Sequence, residues 1–160
     1  MNDIIITNEI SHNIINEKNN ITNDKNNILE ELIKNQLITV DYDKKFTLLD
    51  IKRLVNNIQT SIFSDNCCIW SGYIINSKKN SYISFFIKNK KIALHRLLYC
   101  NFIGPLSDNE YIKYTCKNKG ICCSIKHFKK VDNNKILDEK IIEPIKKNVV
   151  NNKVYFTLEN

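Results

Sequence analysis

With 160 residues and a formal net charge of +7, the chain suits one domain with an irregular extension. No run of eighteen apolar residues occurs, which argues against a transmembrane helix, and the start Met1-Asn2-Asp3-Ile4 lacks the basic and apolar regions of a signal peptide. A protein that is not exported is expected to be intracellular and to use its six cysteines for metal rather than for disulfides.

In chain order, residues 1–27 are rich in Asn and Ile with no sustained period, as in a disordered or docking arm. Residues 28–39 read as helical. Residues 47–60 read as a second helix, with Thr47 able to cap it, Asp50 three residues on, and Ile51, Leu54, Val55 and Ile58 on one face turned toward the following domain. Ser64-Asp65-Asn66 makes a turn. Cys68 to Ile75 and Ser81 to Lys88 then read as strands, the second rich in aromatic and β-branched residues. Asn89-Lys90 turns the chain, and His95 to Phe102 has helical spacing that Gly104-Pro105 ends. Tyr111 to Thr115 is a short strand, and Phe128 to Val131 is its candidate return. A helix over 133–142, broken at Glu143-Pro144, and a last strand over 153–158 complete the expectation. The organisation is therefore an arm (1–27), a helical extension (28–62), a small α+β domain (63–145) and a tail (146–160).

The strongest chemical signal is Cys116-Lys-Asn-Lys-Gly-Ile-Cys122-Cys123-Ser-Ile-Lys-His127. Two sulfur ligands and an imidazole around a Gly-containing turn suggest a tetrahedral metal site that takes its fourth ligand from elsewhere, best from Cys67-Cys68-Ile69-Trp70-Ser71-Gly72. Either member of each cysteine pair offers a ligand, so Cys67 or Cys68, and Cys122 or Cys123, stand as alternates. Cys100, on the third helix, reads as a buried thiol, and Trp70 as core.

Charge is concentrated on the same stretch. Between Asn66 and Val131 there are twelve Lys and Arg against two acids, Asp108 and Glu110, which leaves +10 there and −3 on the remainder. Such a distribution points to a polyanion partner, and a Lys-rich composition does not explain why acids are excluded from that stretch.

The order of these motifs resembles the zinc-containing HNH endonucleases of the His-Me finger, or ββα-metal, superfamily, in the homing-endonuclease-like form of phages and large DNA viruses. The residues that carry the resemblance are Cys67 with Trp70-Ser71-Gly72, Ala93-Leu94-His95-Arg96-Leu97, Gly104-Pro105, and Cys116, Cys122 and His127-Phe128, over roughly residues 64–135. It implies a structural Zn²⁺ held by Cys67, Cys116, Cys122 and His127, with Cys122 keeping the family's spacing to His127. It also implies catalytic positions that this chain does not fill. The family's water-activating histidine, two residues before the first loop cysteine, is here Tyr114, a poor base at neutral pH. Its Mg²⁺-holding asparagine falls on Ile136, with Asn133 and Asn134 close by, and Ser124-Ile125 replaces the Asn-Pro usual before the zinc histidine.

The expectation is thus a zinc-stapled ββα-metal domain, non-catalytic, that binds nucleic acid (DNA ahead of RNA) through Lys78, Lys79, Lys88, Lys90, Lys91, Arg96, Lys113, Lys117 and Lys119. Arg96 offers a phosphate contact or a buried carboxylate pair. His95 offers a relocated base, a phosphate contact, or a structural ring bonded to a backbone carbonyl. An active Mg²⁺-dependent nuclease using His95 or Tyr114 with Asn133 or Asn134 is the alternative. A structural or assembly subunit that docks a protein partner through residues 1–60 is another. Heavy use of Asn, Ile and Lys with three Gly and two Pro matches an AT-rich genome such as that of a large DNA virus, so a virion or viral-factory location is an expectation too.

Overall fold

A computed structural model of the chain describes residues 23–76 and 81–132. The described residues form an α+β arrangement of three helices and three short antiparallel hairpins. Helix α1 runs over residues 23–35. Helix α2 (Leu48–Asn56) precedes β1 (Ile75–Asn76), β2 (Ser81–Tyr82), β3 (Ser84–Ile87) and β4 (Lys90–Ala93). Helix α3 (Leu94–Phe102), β5 (Glu110–Tyr114) and β6 (Phe128–Asp132) follow. Strands pair β1 with β2, β3 with β4 and β5 with β6. Residues 1–22 of the arm expected over 1–27, the helix expected over 133–142 and the last strand over 153–158 lie outside the described residues, as do Lys78, Lys79, Asn133 and Asn134.

Helix α1 is already formed at residue 23, inside the stretch expected to be irregular, and it stops at 35 rather than 39. Its polar first turn is exposed, while Ile28 and Leu32, one turn apart, are buried; tertiary packing rather than propensity holds it. Helix α2 starts where the capping signal places it. The Thr47 hydroxyl accepts from the Asp50 amide at 3.2 Å, and the Asp50 carboxylate accepts from the Thr47 amide at 3.0 Å. Ile51, Leu54, Val55 and Ile58 face the core. The helix ends at Asn56, four residues short of expectation, because the Asn57 carbonyl is taken by the Ser71 amide at 2.9 Å and hydroxyl at 3.0 Å.

The strand expected over Cys68 to Ile75 is reduced to an isolated Ile69–Cys122 bridge and the two residues of β1. Trp70 and Gly72 explain the bend. The indole donates to the Tyr73 carbonyl at 3.3 Å, and a Cβ on Gly72 would lie 2.6 Å from the Asn57 side chain and 2.7 Å from the indole nitrogen. The strand expected over 81–88 is split at Ile83, whose carbonyl accepts from the Leu94 amide at 2.9 Å. The following turn is Lys88-Asn89, one residue earlier than expected, with φ of +43° and +64° as a two-residue hairpin with right-handed strand twist requires.

Helix α3 lies at the centre. Leu94, Leu97 and Leu98 are fully buried among Leu32, Leu54, Ile62, Cys68, Trp70, Phe85, Ile87 and Cys123. This single core takes side chains from both the expected helical extension and the expected zinc domain. Tyr99, Cys100, Leu106 and Ile112 form a smaller second cluster under β5. Asn101, which nothing in the local pattern singles out, joins α3 to the α1–α2 connection. Its side-chain oxygen accepts from Gln36 Nε2 at 2.8 Å and the Phe46 amide at 3.0 Å, and its amide nitrogen donates to the Lys44 and Leu97 carbonyls, both at 2.8 Å. Its own carbonyl accepts from the Leu37 amide at 2.8 Å. Every polar atom of that fully buried side chain is therefore satisfied.

Candidate metal centre

Strands β5 and β6 converge on the cysteine-rich loop. One further ladder bond, from the Thr115 amide to the His127 carbonyl at 3.0 Å, sets Cys116 and His127 on the two sides of the loop mouth. The loop then turns on Asn118, whose carbonyl accepts from the Cys122 amide at 3.0 Å. Gly120 makes this possible: its φ is +81°, and a Cβ there would overlap the backbone carbonyl of Ser81. A single turn of 3₁₀ helix over Ile125–His127 brings the imidazole back. The fourth corner comes from the Cys67 segment, laid beside the loop by the Trp70 amide on the Ile121 carbonyl (3.0 Å) and the Cys123 amide on the Cys68 carbonyl (2.6 Å).

The result is a cluster of Cys67, Cys116, Cys122 and His127 whose ligand atoms all lie within 4.8 Å of one another. His127 Nδ1 is 3.5 Å from Cys67 Sγ and 3.4 Å from Cys122 Sγ. A tetrahedral ion with bonds of about 2.3 Å to sulfur and about 2.05 Å to nitrogen would set these separations near 3.6 Å. The other ring nitrogen, Nε2, donates to the Asp65 carbonyl at 3.0 Å, which leaves the Nδ1 lone pair facing the sulfurs. Burial and the neighbouring sulfurs of Cys116 and Cys67 push the Cys122 thiol up to about 12, whereas the Asn118 side chain and the bonded Cys116 and Cys122 lower Cys67. A cation among them would convert all three to thiolates.

The alternates separate by geometry. Cys68 is buried and donates to the Thr60 carbonyl at 3.2 Å; Cys123 is fully buried in the core, and burial raises both thiols. Neither belongs to the four-residue cluster. All six cysteines are free, and Cys100 is a buried thiol.

Tyr114 stands edge-on between two rings, 5.6 Å from His95 and 5.4 Å from Phe128. Burial, then the cysteine sulfurs nearby, raise its phenol well above the ordinary range, so it is neutral at pH 7. His95 sits in the first turn of α3, where burial and then Arg96 lower it to about 4. The carbonyl bond expected for it is absent: within the described residues its ring contact is with Tyr114. The folded chain holds this imidazole neutral, whereas an unfolded chain takes up a proton below about pH 6.5, so His95 withdraws stability as pH falls from about 6.5 to 4 and no more below that. The His95→Gln variant is expected to lose less stability than the parent over that interval, by up to about 3 kcal/mol, in urea titrations at pH 7 and pH 4.5.

The expected phosphate contacts divide. Arg96 donates from Nη1 to the Glu110 carbonyl at 2.7 Å and from Nη2 to the Ser107 carbonyl at 3.2 Å, so it holds the loop before β5 and pairs with backbone rather than a carboxylate. Lys90 pairs with Asp43 at 2.9 Å, and Lys88 bonds the Tyr42 carbonyl beneath its ring. Lys91, Lys113, Lys117 and Lys119 are exposed. Lys126, Lys129 and Lys130, in the same basic stretch but not singled out from sequence, are exposed as well; Lys130 pairs with Glu110 at 2.8 Å. No described helix is long and apolar enough to cross a membrane.

No family model matches this chain, and no solved structure matches it. The chain is similar to the uncharacterized protein R328 of Acanthamoeba polyphaga mimivirus, 53% identical over 105 residues. The similarity covers 63% of this chain and 31% of the viral protein, so the chain spans less than a third of that relative.

Proposed function

We propose that the chain is a zinc-stabilised, HNH-derived module that binds nucleic acid, DNA ahead of RNA, without cutting it. Tyr114 carries this reading. At the position where the resembled family keeps a histidine base, the chain has a neutral phenol wedged between His95 and Phe128, beside a metal cluster that is otherwise complete. Three sulfurs and one imidazole nitrogen favour Zn²⁺ and leave no open position for water or substrate, so the ion is structural and the chemistry expected of it is folding energy. The exposed lysines of the basic stretch supply phosphate contacts with little sequence choice. A mimivirus relative is consistent with a viral origin and with action on a viral genome.

The test is fluorescence anisotropy with mixed-sequence 20-mer DNA, duplex and single-stranded, alongside a plasmid-nicking assay in Mg²⁺. Binding at 50 mM salt that weakens by about 10³-fold or more at 200 mM, with no nicking, is the expected result. Affinity that ignores salt would sink the reading.

A second reading has one observation in its favour: the neutral imidazole of His95 beside Tyr114, with no hydrogen bond among the described residues. In it, His95 takes over the base role and Asn133 or Asn134 holds Mg²⁺. Nicking that disappears in His95→Ala would establish it.

A further inference from the structure

The register of β5 and β6 places Lys113 directly opposite Lys129. In an antiparallel pair this brings the two Cβ atoms to about 5 Å, and like charges there are destabilising. Both side chains are exposed, and neither has a carboxylate partner among the described residues. The neighbouring Lys130 shows that a partner is available on this hairpin: one register step away, on the opposite face, it has Glu110 at 2.8 Å. The metal loop also removes the usual escape. With Cys116 and His127 held in one cluster and the Thr115 amide bonded to the His127 carbonyl, the strands cannot slip to separate the lysines. Thr115, exposed on the same face, adds a hydroxyl beside them, and Lys117 and Lys126 extend the positive charge onto the loop.

We propose that the outer face of the β5–β6 hairpin, centred on Lys113 and Lys129 with Thr115, is where the chain grips the phosphodiester backbone. This rests on the nucleic-acid reading above and gives it a location. One phosphate between the two ammonium groups removes their repulsion, and the next along the strand meets Lys117 or Lys126. The face opposite turns Tyr114, Ile112 and Phe128 toward the protein, and its exposed Lys130 is already paired with Glu110, so it takes no part.

The experiment compares the metal-loaded 160-residue chain with a Lys113→Gln/Lys129→Gln double variant and a charge-matched control, Lys34→Gln/Lys52→Gln, whose sites are exposed on α1 and α2. The probe is the 20-bp duplex, titrated at several salt concentrations. The hairpin variant should lose about tenfold or more in affinity, and the slope of log K against log salt should fall by about 2, while the control keeps the parent slope. Its Tm should rise by about 1–5 °C, because the repulsion is gone. A Lys113→Glu variant removes the same two units of charge, so it should bind about as weakly, and with Glu facing Lys129 it should be at least as stable. If the parent binds and the hairpin variant keeps its slope, this location is wrong and the nucleic-acid reading stands. If the parent binds neither duplex nor single strand, both fall. If it binds phosphatidylserine vesicles through these lysines and no nucleic acid, the face is a membrane contact and both fall.

Discussion

Cys122→Ser is expected to release the metal and unfold the chain, while Cys123→Ser, one residue away, keeps both ion and fold. Cys122 Sγ lies 3.4 Å from His127 Nδ1 and is one of the four corners of the cluster. Binding at a structural site of this kind contributes on the order of 10 kcal/mol to folding, comparable to the roughly 5–15 kcal/mol of total stability in a domain. The loss would propagate. An ion held by Cys67 and Cys122 would tie together two segments whose other links are the isolated Ile69–Cys122 bridge, a few backbone bonds, the Ser124–Ser64 hydrogen bond and the packing of Cys68, Trp70 and Cys123. Cys123 points into the core, where a serine hydroxyl finds no partner, so its replacement costs about 1–3 kcal/mol without touching the ion. Metal content by emission spectroscopy and thermal melts on the same samples separate the two. Equal metal content in both variants would show that the ligand assignment is wrong.

Asn101→Asp is expected to be the next most damaging change, although it adds no volume. The amide nitrogen of Asn101 donates to the carbonyls of Lys44 and Leu97. A carboxylate there turns two attractive contacts into two oxygen–oxygen repulsions and buries a charge. The expected loss is about 3–5 kcal/mol at pH 7, read from urea unfolding. It should shrink below pH 5, where a protonated acid can donate to one carbonyl. Asn101→Leu, which strands the Phe46 amide and the Gln36 side chain, is expected to cost about 2–4 kcal/mol at either pH. A loss for Asn101→Asp below 1 kcal/mol would mean that the α1–α2 connection is held by something else.

Asn101 also shows why some of the fold could not be read from residue patterns. Its partners, Gln36, Leu37, Lys44 and Phe46, lie 55 to 65 residues away for the side-chain bonds from Gln36 and Phe46, and a lone Asn in an apolar helix carries no local mark of them. The Thr47–Asp50 box, in contrast, is a three-residue event and was legible, as were Gly104-Pro105 and the spacing of Cys116, Cys122 and His127. The strand expected over Cys68–Ile75 does not form as a ladder because β-propensity there serves packing against the loop and the indole.

Local chemistry along the chain was enough to mark the start of α2, the candidate metal donors and the concentration of positive charge, because capping, ligand spacing and composition act over a few residues. Only the folded chain could choose Cys67 over Cys68 and Cys122 over Cys123, since neighbouring side chains differ in the direction they face and not in their chemistry. The same holds for the lysines. Their number is a property of composition, but strand register set Lys113 against Lys129, and contacts distant in sequence drew Arg96, Lys88 and Lys90 into other partnerships.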